Sequence, residues 1–140
     1  MVAAVLFSGA SVHAGVEPCS LLKAEEVSRV MGGAIKGNQL GPACYFIGLG
    51  KEVLVAPLDK SGYQDRRQFV TGPISQKLGW RKESLPNVGS EVFVWHDKDQ
   101  SKVHVLFQKG AGGGELEVKG ATDLKAAAEA LAALAAQRVP

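Results

Sequence analysis

Several features are scarce or missing in this 140-residue chain, and each absence closes off a class of function. Cysteine occurs twice, at Cys19 and Cys44, with no C-x-x-C and no neighbouring histidine to complete a zinc or redox site. No serine stands in G-x-S-x-G, and no H-E-x-x-H is present, so the common hydrolase signatures are missing. Neither sign of charge dominates: 16 basic and 14 acidic residues are interleaved to a net charge of +2. No basic stripe carries interleaved aromatics, so nothing marks a nucleic-acid surface. No helical segment joins a Lys-rich face to Trp or Phe, as a membrane-surface helix would. Beyond residue 14, no apolar run approaches the roughly 20 residues that span a bilayer.

What is present begins at the N-terminus. An uncharged apolar run, Val2 to Phe7, leads through small residues to Val12-His13-Ala14. That is the outline of a secretory signal, with cleavage after Ala14, although no basic residue precedes the run. Residues 1–14 therefore read as a signal peptide cut short at its start, and residues 15–140 as one domain. The competing reading of the run is a buried N-terminal strand. Two cysteines in a small exported domain are expected to pair, which sets a periplasmic or extracellular compartment. The Cys19–Cys44 disulfide would close a loop of about 24 residues, worth roughly 3 kcal/mol, and pin the first helix to the first strand. Val16-Glu17-Pro18 is the wrong context for making Cys19 a lipid anchor. With 46% apolar and 21% charged residues, the composition is that of an ordinary globular domain.

Helical spacing of Leu21, Leu22, Val27, Val30 and Met31 predicts a helix over Ser20–Met31, stopped by Gly32-Gly33. A loop with Gly37, Gly41 and Pro42 follows, then short strands at Cys44–Ile47 and Glu52–Ala56 joined through Gly48-Leu49-Gly50. Ser61 is a candidate cap for a helix over Gly62–Val70, ended by Gly72-Pro73. Residues 74–89 carry no clear pattern, and Pro86-Asn87 with Gly89 makes their second half a loop. Three antiparallel strands are predicted at Glu91–His96, Lys102–Gln108 and Glu115–Lys119, with turns at 97–100 and Lys109–Gly114. Pairing Val94 with Val103 and Phe107 with Leu116 keeps Val92, Val94, Val103, Val105, Phe107, Leu116 and Val118 on one face. An Ala-rich helix over Asp123–Arg138, capped by Thr122 or Asp123, closes the chain. The fold class is α+β, in the order α-β-β-α-β-β-β-α: an antiparallel sheet of about five strands with helices on one face.

Pro18-Cys19-Ser20-Leu21-Leu22-Lys23-Ala24-Glu25-Glu26-Val27 resembles the P-C-S-L-L-T-x-x-E-V opening of small exported bacterial domains of unknown function, many of them lipoproteins. Cys44-Tyr45-Phe46, Asn87-Val88-Gly89-Ser90 and Leu124–Arg138 resemble that family's later landmarks, in the same order. Lys23 departs from the family's Thr and removes the acceptor of a capping box with Glu26, leaving Ser20 as the alternative cap. The lipid-anchor cysteine is missing. The resemblance implies a secreted or envelope binding role and supplies no catalytic residue.

Few residues are left to carry chemistry. The cysteine pair reads as structural. His96 and His104 fall on opposite sheet faces, which argues against a shared metal, and no cofactor is expected. Gly110–Gly114 is like part of a phosphate loop, but a strand follows it where such loops need a helix N-terminus. It reads instead as a mobile hairpin tip. Asp97 and Asp99 are turn residues. The second sheet face is mixed: Phe93, Trp95, His104 and Leu106, rimmed by Lys102, Glu115 and Glu117. Aromatics with a charged rim make a recognition surface, with Trp95 as anchor. Alternatively, the middle helix or residues 74–85, including Trp80, cover that face. The expected function is a non-catalytic, exported binding domain for an envelope protein or a small ligand. The alternatives are a small exported enzyme or enzyme inhibitor, with a site between the sheet and the Gly110–Gly114 tip, or a purely structural envelope protein.

Overall fold

Alternating apolar residues between Val92 and Val118 build the middle of a seven-stranded antiparallel sheet, larger than the sequence suggests. The computed structural model describes residues 16–97, 99 and 101–140. The signal-peptide reading of residues 1–14, with His13, lies outside them, as do Lys98 and Gln100 of the turn after His96.

A short 3-10 turn, Pro18–Ser20, leads into α1 (Ala24–Met31). Three strands follow: β1 (Lys36–Leu40), β2 (Ala43–Gly48) and β3 (Lys51–Leu58). Helices α2 (Lys60–Val70) and α3 (Pro73–Leu78) precede β4 (Arg81–Glu83), β5 (Glu91–His96), β6 (Lys102–Lys109) and β7 (Gly112–Lys119), and α4 (Leu124–Ala136) ends the fold. The strand order across the sheet is β1-β2-β3-β7-β6-β5-β4. The five-strand count and the order of elements are therefore corrected by three additions: β1, α3 and β4.

The helices also lie on both faces, not one. Against the first face, α1 and α4 bury Val27, Met31 and Leu131 over Val53, Val55, Val105 and Leu116. Against the second, α2 sets Tyr63 and Val70 over Phe93 and Leu106, with Trp80. Phe93 and Leu106 are the physical reason. Two large apolar side chains on the second face are kept from water only if something packs on them.

The capping details differ from the expectation in instructive ways. Ser20 Oγ bonds to the carbonyl of Glu17 (2.7 Å) inside the 3-10 turn, so Lys23 is the cap of α1. An ammonium cannot accept a hydrogen bond, yet the Glu26 carboxylate still accepts the Lys23 N–H at 2.9 Å, half of a capping box. Glu26 then receives both nitrogens of Arg138 at 2.6 and 2.7 Å, tying α1 to the end of α4. Asp59, not Ser61, caps α2 by accepting the Gly62 N–H at 2.7 Å. Gly72-Pro73 starts α3 instead of merely ending α2, with proline at the first helical position. Asp123 caps α4 as anticipated.

The faces of β5, β6 and β7 are as the alternation requires, but the pairing is displaced by two residues. Val94 faces Val105, and Phe107 faces Gly114. A shift of two preserves every side chain's face, because the period of a strand is two. The glycine run accounts for part of the displacement: only Gly110 and Ala111 form the turn, and Gly112-Gly113-Gly114 belong to β7. They are buried, and a Cβ at Gly113 would collide with the carbonyl oxygen of Phe107. The run is thus a close-packed strand and not a mobile tip.

Candidate functional site

Trp95 and His104 sit side by side across β5 and β6, where the register places them opposite one another. Their rings lie 4.6 Å apart, and Trp80 closes a triangle at 6.0 Å from Trp95 and 6.2 Å from His104. The indole of Trp95 donates to the carbonyl of Leu78 at 2.8 Å, which fixes its rotamer against the end of α3. Trp80 and the middle helix thus cover the β5 side of the second face. Phe93 and Leu106 are buried beneath that cover and present nothing to solvent. Trp95, His104 and Lys102 are half-buried at its margin.

Beyond the margin the face is open. A cleft of about 320 Å³ is lined by Leu54 and Ala56 of β3, Arg66 of α2, His104 of β6, and Glu115 and Glu117 of β7. Its wall on the α2 side is rigid, since Arg66 holds Glu115 through two bonds of 2.7 Å. Glu117 is held more loosely, 3.5 Å from Lys102 and 3.6 Å from His104. Asp97 stands 3.8 Å from the same imidazole. Burial pushes the His104 imidazole below its ordinary value, against the opposing pull of Glu117, Asp97 and Glu115. Neighbouring Tyr45 donates to Glu52 at 2.6 Å, and that bond raises its phenol.

This arrangement offers an apolar floor, one loosely held carboxylate and a half-buried imidazole. Glu117 and Asp97, at 3.6 and 3.8 Å, lie just beyond hydrogen-bond distance of the His104 ring. Among the described residues, no three His, Cys, Asp or Glu side chains are grouped to hold a metal ion. His96 lies on the opposite face from His104.

Sequence reasoning named the β5, β6 and β7 side chains of this site but not Leu54, Ala56 or Arg66. The period-2 pattern of β3 carried a signal for Leu54 and Ala56, since Val53 and Val55 occupy the first face. Arg66 carried none, because its partner is 49 residues away. A second cleft, about 140 Å³ and mainly apolar, lies where Leu58 and Asp59 meet Ala111, Gly112 and the C-terminal Val139. Cys19 and Cys44 are joined in a disulfide that fastens the 3-10 turn to β2. No helix among the described residues is long and apolar enough to cross a membrane. Comparison of the chain with protein-family profiles, with curated proteins and with solved structures finds no match.

Proposed function

We propose that the chain is a non-catalytic binding domain of the bacterial envelope or of the secreted fraction, and that its ligand seats in the cleft beside His104. The export half of this reading rests on the apolar opening, the disulfide and the resemblance to small exported domains. The binding half rests on one observation: α2 covers only part of the second sheet face. It leaves Leu54, Ala56, His104 and Glu117 open beside a rigid Arg66–Glu115 wall. An apolar floor with a few fixed polar groups is the usual make-up of a small-ligand site. Trp95 and Lys102 serve at its rim, while Phe93 and Leu106 support it from below.

The test is the native mass of the chain recovered from its own envelope or medium, compared with the Glu117→Lys variant. A wild-type mass carrying an additional molecule that the variant lacks, at equal thermal midpoint, supports the reading. A bare wild-type chain, indistinguishable from the variant, refutes it in favour of a structural role. Reductant identifies the disulfide in the same spectra.

A further inference from the structure

The outer surface of α2, α3 and β4 differs from the rest of the molecule in charge, and it carries three of the six exposed large apolar side chains among the described residues. Residues 60–83 hold six of the chain's sixteen cations and two of its fourteen acids. Their local net charge is +4 in a chain of +2, so the remainder sums to −2. Arg66 and Arg67 are engaged by Glu115 and Glu91, and Lys82 lies 3.6 Å from Glu91. Lys60, Lys77 and Arg81 are exposed and have no ion-pair partner among the described residues.

Large apolar side chains are exposed in the same stretch: Phe69 by 50%, Ile74 by 73% and Leu78 by 46%. Ile74 and Leu78 are four residues apart on α3 and so share one side of it, while Ser75 turns inward. The Arg66 guanidinium lies over the Phe69 ring at 5.0 Å. Leu78 and Arg81 line one cleft, which Glu83 and Asp97 also line. Apolar side chains standing among long cations match the two parts of an anionic lipid surface, where the chains enter the acyl boundary and the cations meet phosphates. No single helix of the sequence shows this combination, because two short helices and an edge strand divide it between them.

We infer that this face docks the domain on an anionic lipid surface, with Phe69, Ile74 and Leu78 inserted and Lys77 and Arg81 against the phosphates. The negative remainder of the molecule is repelled by the same surface, so the domain sits in one orientation.

The probe is co-sedimentation of the full chain with vesicles of phosphatidylcholine containing phosphatidylglycerol, and with phosphatidylcholine alone. The expected result is binding to the first and not the second, weakening as salt shortens the Debye length from about 30 Å to about 8 Å. Lys77→Gln with Arg81→Gln should weaken binding roughly thirtyfold. Ile74→Asp with Leu78→Asp should abolish it. Leu49→Asp, at a turn residue 97% exposed on another part of the surface, should leave binding unchanged. Circular dichroism verifies that each variant is folded. Equal binding to both vesicles, unchanged binding in the patch variants, or equal loss in Leu49→Asp overturns the inference. So does a dimer that depends on the patch and forms without any vesicle binding, since the occupant would then be a second copy of the chain.

Discussion

Glu91→Gln tests how α2 is held over the second sheet face. The carboxylate of Glu91 accepts two bonds from Arg67, at 2.7 and 3.0 Å, and one from the Tyr63 hydroxyl at 2.8 Å. Lys82 stands a little further off. The Arg67 guanidinium, with help from Tyr63 and against the cost of burial, holds the Glu91 carboxyl down to about 2 from an ordinary 4.5. A drop of that size has a ceiling of about 3–4 kcal/mol, at about 1.4 kcal/mol for each pH unit. Arg67 and Lys82 are 46% and 65% exposed, so solvent screening brings the expected contribution to about 1–2 kcal/mol. The native state binds the proton less readily than the unfolded chain. The stabilisation is therefore complete above the ordinary carboxylate range and is lost as pH falls from about 4.5 towards about 2. Glu26, held to about 2 chiefly by Arg138, loses its contribution over the same window.

Urea denaturation with the disulfide intact, repeated between about pH 7 and about pH 2.5, separates the two. Glu91→Gln should lower stability by about 1–2 kcal/mol at neutral pH and flatten the acid limb without abolishing it. Adding Glu26→Gln should remove most of what remains. If Glu91→Gln has a neutral-pH stability and an acid slope identical to those of the parent, the carboxylate is not carrying α2 and this account of the second face fails.

Reducing the Cys19–Cys44 bond, or replacing both cysteines with serine, should cost roughly 3.5 kcal/mol on the chain-entropy account for a separation of 25 residues, read as a lower urea midpoint. A cost near zero would mean that the unfolded chain already keeps the 3-10 turn beside β2. Gly113→Ala should destabilise by roughly 2–4 kcal/mol, because the new methyl meets the backbone of β6. Gly33→Ala, with open space around its Cβ, should cost only the strain of its positive φ of 86°. Equal midpoints for the two variants would show that the β6–β7 approach is looser than described.

Legibility in the sequence follows the physics of each segment. β5 was readable to the residue, because Val92 and Val94 alternate with Phe93 and Trp95 against a core on each side. Register was not, since alternation determines parity alone, and the glycine run concealed a two-residue turn. β1 is exposed along its whole length and has no apolar period to find. It exists because β2 offers it a pairing edge, and because Gly37 lets the Phe46 ring lie where a Cβ would be 2.7 Å away. Ile74 and Leu78 face solvent, so α3 lacked the buried stripe by which a helix is recognised. Of the candidate site, Trp95, His104 and Glu117 were legible from strand alternation. The covering of Phe93 and Leu106 depended on where a distant helix came to rest.

The strand order carries a consequence for how the molecule is assembled. β3 and β6 are joined only through β7, the last strand to be made, which lies at the centre of the sheet. As the chain emerges from its N-terminus, β1, β2 and β3 can pair among themselves, and Cys19 can find Cys44. The inner edge of β3 nevertheless stays bare until residue 113 and beyond arrive to cover it. A truncated chain lacking β7 is thus two fragments of sheet with no hydrogen bonds between them, each with one newly unpaired edge. The interval before β7 appears is when this protein is most exposed to pairing with the wrong neighbour.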